Sequence, residues 1–97
     1  GYNIYPRHVE EELYKHPSIL EGAVVGVKHE VRGEVPQAFV VLREGHSATE
    51  AEIKDYLKQH LPPYSVPVTV AFRDALPKTL IGKIDKKVLK TEANATT

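Results

Sequence analysis

Two apolar runs held apart by a charged link constrain this chain more than any other feature. Ala23-Val24-Val25-Gly26-Val27 and Gln37-Ala38-Phe39-Val40-Val41-Leu42-Arg43 each read as a strand, the first apolar on both faces. The link between them, Lys28 to Pro36, is charged and contains Gly33. The runs are close enough in sequence to pair antiparallel. A chain of 97 residues has room for one domain around that pair and not for two. A domain of this size buries roughly two-thirds of its unfolded surface. That allows a modest core but no large enclosed active site.

Helical signals flank the pair. Pro6 suits a first helical turn, where its missing N–H costs nothing. Val9, Leu13 and Tyr14 would form the apolar side of that helix, with Glu10, Glu11, Glu12 and Lys15 toward solvent, and Pro17 ends it. Ser47 and Thr49 each precede a glutamate by three residues, Glu50 and Glu52, which is a capping-box start. Ile53, Tyr56, Leu57, His60 and Leu61 then recur at helical spacing until Pro62-Pro63. Val68, Val70 and Phe72 alternate as a third strand. Asp85 can cap a last short helix that turns Ile84, Val88 and Leu89 inward, and the small polar residues Thr91 to Thr97 are expected to fray. The order helix, strand, strand, helix, strand, loop, helix predicts an α+β domain. Its sheet would be small, three-stranded and mainly antiparallel, with helices packed on one face.

Composition removes several function classes. Thirteen Lys and Arg balance thirteen Asp and Glu, so no net charge steers the chain to nucleic acid or to an anionic membrane. The absence of cysteine excludes a disulfide framework, thiol catalysis and cysteine ligation of metals, and is compatible with a reducing compartment. No apolar run approaches the ~20 residues of a transmembrane helix. His8, His16, His29, His46 and His60 show no close metal-ligand spacing, and His60 reads as a helix residue at the core edge, so no metal site is expected. No Ser-His-Asp or Cys-His set can be inferred. The start at Gly1 carries neither an initiator Met nor a signal-peptide pattern, and a longer parent protein is the expectation.

The stretch with most chemical character is Leu76-Pro77-Lys78-Thr79-Leu80-Ile81-Gly82-Lys83-Ile84-Asp85-Lys86-Lys87-Val88-Leu89. A proline and a glycine bracket a short loop, and a lysine follows the glycine. An ammonium at the tip of a flexible loop is suited to meeting a phosphate or carboxylate on another body. A phosphate-cradling Walker loop is excluded, because Pro77 stands where its first glycine belongs and Ile84 where its Ser or Thr belongs. For Lys86, Lys87 and Lys90 a solvated helix face is the ordinary reading. A nucleic-acid patch is the next reading for the five lysines from Lys78 to Lys90, but there is little aromatic interleaving and the chain as a whole has no net positive charge. On residue chemistry alone, Lys83 reads equally well as a working cation or as a surface group.

Here the residues carry a specific likeness. Leu76-Pro77-Lys78-Thr79-x-x-Gly82-Lys83-Ile84-x-Lys86-x-x-Leu89 resembles the last signature of the acyl-adenylate-forming superfamily. That superfamily comprises acyl-CoA synthetases, peptide-synthetase adenylation domains and beetle luciferases. Gly1-Tyr2-Asn3-Ile4-Tyr5-Pro6-x-x-Val9-Glu10 resembles the signature after its interdomain hinge. Ala23 to Val27, Arg32-Gly33-Glu34, Ala38 to Leu42 and Leu61-Pro62-x-Tyr64-x-Val66-Pro67 resemble the segments between. The matches run in order over positions 1 to 90.

The resemblance implies that residues 1–90 form the small C-terminal lid domain of such an enzyme, with a flexible tail over 91–97. It implies a large N-terminal domain, absent from this chain, that binds ATP and the acid. The reaction implied has two halves. A carboxylate first attacks the α-phosphate of ATP to give acyl-AMP and pyrophosphate. A thiol, commonly of coenzyme A, then displaces AMP after the lid has rotated. Lys83 matches the adenylation lysine, with Gly82 beside it on the ATP and acyl-adenylate side. Gly1, Tyr2 and Asn3 match the loop lining the pantetheine channel. Arg32 and Lys58 fall where acyl-CoA synthetases often place cations for the CoA phosphates, although an ordinary solvated lysine also accounts for Lys58. ATP with Mg, and CoA, enter as substrates rather than prosthetic groups, bound mainly by the other domain.

The fragment alone is expected to be inactive, and the whole protein cytoplasmic or peripheral to a membrane through its other domain. Asn3 stands where many relatives have arginine and His8 where glutamate is usual. The spelling Gly-Tyr-Asn-Ile-Tyr-Pro is more like fatty or other acyl-CoA ligases than peptide-synthetase modules. An adenylation domain loading a carrier protein, and a stand-alone interaction module of the same fold, are the competing readings.

Overall fold

The computed structural model describes residues 5–95. Gly1, Tyr2 and Asn3 lie outside the described residues. Helix α1 (Pro6–Lys15) leads into strand β1 (Ile19–His29), which turns back into β2 (Gly33–Leu42). Helix α2 (Glu50–Lys58), a 3-10 turn (Pro63–Ser65), strand β3 (Thr69–Phe72) and helix α3 (Lys86–Ala95) follow. The sheet order is β1-β2-β3. The two apolar runs pair antiparallel as expected, from Glu21 opposite Val41 to His29 opposite Gly33. Gly33 closes their turn at φ 81°, a left-handed conformation that glycine adopts without strain. β3 pairs parallel to β2, from Gln37 opposite Thr69 to Val40 opposite Phe72. A parallel pair needs a long connection, and the segment carrying α2 supplies it.

The helices cover both faces of the sheet, not one. Val24, Ala38 and Val40 meet Val9 and Leu13 of α1 and Ile53 and Leu57 of α2. On the opposite face Ala23, Val25, Val27, Val35, Phe39 and Val41 meet Leu76, Leu89 and Ala93. The cause is the pattern of β1 and β2, which are apolar at odd and even positions alike, so that each face needs a cover. α3 continues through residues 91–95, with Ala93 buried.

Caps follow local chemistry. Thr49, not Ser47, is the N-cap of α2, its hydroxyl accepting the Glu52 N–H at 3.1 Å. Asp85 Oδ1 accepts the Val88 N–H at 3.2 Å at the start of α3. α2 ends at Lys58, before the expected Leu61, and Tyr14 and Val88 are exposed rather than inward.

Glu10 departs most from expectation. Its side chain is only 16 % exposed. Its Oε2 accepts the Val24 N–H at 2.8 Å and pairs with Lys86 Nζ at 2.6 Å. Farther along α3, Lys90 pairs with Glu34 at 3.3 Å and Asn94 Oδ1 accepts the Lys28 N–H at 3.0 Å. Spacing of four residues puts Lys86, Lys90 and Asn94 on one stripe of the helix, and that stripe runs along the free edge of β1. On the other edge Glu50 Oε2 accepts the Val70 N–H at 2.7 Å.

Tyr56 packs at the seam of α1 and α2, edge-on to His16 at 4.9 Å between ring centroids and tilted against His60 at 4.8 Å. Burial pushes its hydroxyl above the ordinary tyrosine range, the nearby Glu12 carboxylate pushes the same way, and Lys15 opposes them. The fold therefore favours the neutral phenol. That contribution is complete below the unfolded tyrosine value of about 10 and is lost as pH rises through the folded value. Stability should fall above about pH 10, and Tyr56→Phe should flatten that part of the curve. Urea midpoints of both proteins from neutral to alkaline pH check this; parallel curves would remove Tyr56 from the alkaline transition. Lys15, raised chiefly by its hydrogen bond to Glu12, acts with the same sign in both proteins.

Candidate functional site: the Lys83 hairpin

The segment between β3 and α3 forms a hydrogen-bonded hairpin. Lys78 and Ile84 face each other as an antiparallel pair. The Thr79 N–H donates to the Lys83 carbonyl at 2.7 Å, the Gly82 N–H to the Thr79 carbonyl at 2.9 Å and the Asp85 N–H to the Pro77 carbonyl at 2.8 Å. Gly82 sits at φ 86°. A tight turn closed by a left-handed residue is the usual three-residue hairpin connection, and it explains a glycine at this position. Space does not explain it, because an added Cβ at Gly82 would meet nothing within 4 Å. The base is anchored twice: Leu76 is buried, and Lys78 Nζ pairs with Glu21 at 2.7 Å.

Lys83 follows the turn rather than standing at its tip. Its side chain is exposed. Among the described residues no carboxylate pairs with Lys83 or Lys87, whereas Lys78, Lys86 and Lys90 each have one. The fold thus pairs three of the five lysines between Lys78 and Lys90, and among the described residues Lys83, held by the hairpin, and Lys87 have no carboxylate partner. The tip belongs to Leu80 and Ile81, which are fully exposed and 78 % exposed. They occupy unspecified positions of the sequence motif. The signal for them was two large aliphatics inside a turn, where small or polar residues are the rule.

The other expected site residues lie elsewhere. Arg32 is exposed in the turn between β1 and β2, where its backbone N–H, like that of Val31, donates to His29 Nδ1. That turn and the Lys83 hairpin occupy opposite ends of the sheet, since the hairpin is tied to Glu21, near the start of β1, and Arg32 follows the end of β1. Lys58, on the exposed side of α2, has Asp55 at 3.8 Å. It borders a recess formed by Leu61, Pro63 and Val66. The domain therefore does not gather Lys83 and Arg32 into one pocket. It displays each on a separate surface. Among the described residues no three His, Asp or Glu side chains converge to hold a metal ion, and no helix is long and apolar enough to cross a membrane.

A profile of the AMP-binding enzyme C-terminal domain matches residues 8–83, most of the chain. The chain belongs to this family. Over 92 residues this AMP-binding enzyme C-terminal domain is 49 % identical to a long-chain-fatty-acid–CoA ligase of Bacillus subtilis, covering 95 % of the chain and 16 % of that protein. Over 95 residues it is 47 % identical to 2-methylpropanoate–CoA ligase CCL4 of Humulus lupulus, covering 96 % and 17 %. Among solved structures, ATP-bound MatB from Rhodopseudomonas palustris superposes with a TM-score of 0.94 at 34 % identity, over 99 % of this chain and 19 % of that one. The domain thus spans about one-sixth of the length of the curated relatives it matches. Those two relatives are named for different acids, although their matched segments are 49 % and 47 % identical to this chain.

Proposed function

We propose that this domain is the lid of an AMP-forming acyl-CoA ligase acting on a fatty acid, and that Lys83 is its adenylation cation. The observation that carries the reading is Lys83 itself: exposed, without a carboxylate partner among the described residues and held by a hairpin, in a chain 49 % identical over 92 residues to part of a long-chain-fatty-acid–CoA ligase. Acyl-AMP formation brings a carboxylate to a triphosphate, and charge grows on the transferring phosphoryl group. A cation positioned there stabilises that charge, and one mounted on a lid can leave before a thiol arrives. ATP, as its Mg complex, and CoA would be substrates held mainly by the large domain. The opposite placement of Arg32 supports a second working surface at the other end of the sheet, for the phosphates of CoA.

Labelled pyrophosphate exchange into ATP, measured on the full-length protein with a panel of fatty acids, tests the reading. Exchange should depend on the acid and vanish when residues 1–97 are deleted, and the domain alone should give none. Undiminished exchange by the truncated protein would sink the lid assignment. In the second half-reaction Arg32→Ala and Lys58→Ala should raise KM for CoA by about two- to fivefold, the range of exposed ion pairs. The effect should shrink as salt rises, and Lys58 should show the smaller change because Asp55 already screens it. A KM for CoA unmoved at low salt would leave each as a solvated surface group.

A further inference from the structure

Among the described residues, Leu80 and Ile81 are the one pair of large exposed aliphatics that are neighbours in the chain. Isolated exposed aliphatics are ordinary on any protein surface, but these two are adjacent at the end of a projecting hairpin. The turn cannot bend freely beneath them. Three backbone hydrogen bonds and the left-handed Gly82 fix its shape, and the Lys78–Glu21 pair and buried Leu76 fix its base. Lys83, two residues beyond Ile81, is held in the same frame through its carbonyl's bond to the Thr79 N–H. Whatever seats the tip therefore also sets where the Lys83 ammonium goes.

From this we infer that Leu80 and Ile81 are positioning residues: an apolar tip that seats on the large domain of the same polypeptide and so delivers Lys83 to the reacting phosphate. The inference rests on the lid reading above. Interface size argues for that occupant. A separate protein partner needs roughly 800 Å² of contact per side, and two aliphatic side chains supply a small fraction of it. A domain on the same chain meets the tip at an effective concentration in the millimolar range, where a small patch suffices and release stays easy. Length agrees, since the relatives carry about five-sixths of their residues outside the matched region. Charge agrees as well, because a free cation beside the tip fits a site handling carboxylate and phosphate. The recess receiving the tip would be apolar and would border the acyl-phosphate site.

The test uses the full-length protein with Leu80→Asn, Ile81→Asn and the double variant, alongside Lys83→Ala. Acid-dependent pyrophosphate exchange should fall about tenfold in each single variant and about a hundredfold in the double. Thioester formation from supplied acyl-AMP should stay within about twofold of the parent. Leu80→Met with Ile81→Val, which keeps an apolar tip, should restore exchange. The thermal midpoint should not move, because neither side chain is packed in the domain. Normal exchange in the double variant while Lys83→Ala abolishes it would overturn the seating role and leave the lid reading intact. Normal exchange in Lys83→Ala would overturn the lid reading first. Equal loss in both half-reactions would mark the tip as merely structural and also end the proposal. Co-sedimentation with vesicles of anionic and zwitterionic phospholipid adds a last arm. Binding that the double variant loses, with exchange unchanged, would assign the tip to a lipid surface instead.

Discussion

Replacing Lys83 with alanine in the full-length protein should slow acyl-AMP formation by about 10²–10³-fold, the usual cost of removing one positioned charge from a transition state. Thioester formation from acyl-AMP supplied in solution should change far less, because on the lid reading Lys83 is carried away before the thiol attacks. Fold stability should be untouched, since the side chain is exposed and carries no ion pair among the described residues. The split between half-reactions is the informative quantity. Equal loss in both would point to a structural lysine, and no loss in either would remove it from the chemistry. Lys83→Arg should recover only part of the rate. A guanidinium is planar and donates in a fixed fork, whereas an ammonium donates from one rotatable point. Acylation of the Lys83 amine should mimic the alanine variant, because it removes the same charge.

The largest expected effect on stability lies at Leu89. Its side chain is fully buried on the α3 face, among Val25, Val35, Phe39 and Val41. Truncation to alanine removes that apolar contact and leaves a cavity, at a cost of about 2–5 kcal/mol. A domain of this size has a total stability of about 5–15 kcal/mol. The thermal midpoint should therefore drop by roughly 10–30 °C. The loss should reach the Lys83 hairpin, because Ile84 packs against the same cluster and Asp85 caps the helix that Leu89 anchors. Hydrogen exchange at Thr79 and Gly82, whose N–H groups close the turn, should speed up in Leu89→Ala and stay slow in Lys83→Ala. Unchanged protection in Leu89→Ala would show that the hairpin holds itself together without α3.

What could be foreseen from the residues was what local chemistry decides. The β1–β2 pair follows from two apolar runs and a Gly33 turn, and the caps at Thr49 and Asp85 follow from side chains that reach an N–H three residues on. The run Pro77 to Lys83 marked a loop bracketed by a proline and a glycine, but not the pairing of Lys78 with Ile84 that makes it a hairpin. What escaped depends on partners distant in sequence. Glu10 looks like any solvent-facing helix glutamate until β1 and α3 arrive beside it. The persistence of α3 past residue 90 rests on Ala93 meeting the sheet and Asn94 meeting Lys28. Cover on both faces was implicit in a strand apolar at odd and even positions, but the order of elements along the chain does not say which face each helix takes. The opposite placement of Arg32 and Lys83 could not be read before strand register was known.

The seals on the two sheet edges have a consequence of their own. An uncovered edge strand offers a row of unmatched N–H and C=O groups on which a neighbouring chain can nucleate, and a lid of the kind proposed above would spend part of each cycle without the large domain as a shield. Glu10 and Asn94 occupy outward N–H groups of β1, and Glu50 occupies one on β3. In a crowded cell that is protection against misassembly. Exchanging Glu10 or Glu50 for alanine should therefore show its cost as aggregation at high protein concentration before it shows as lost turnover.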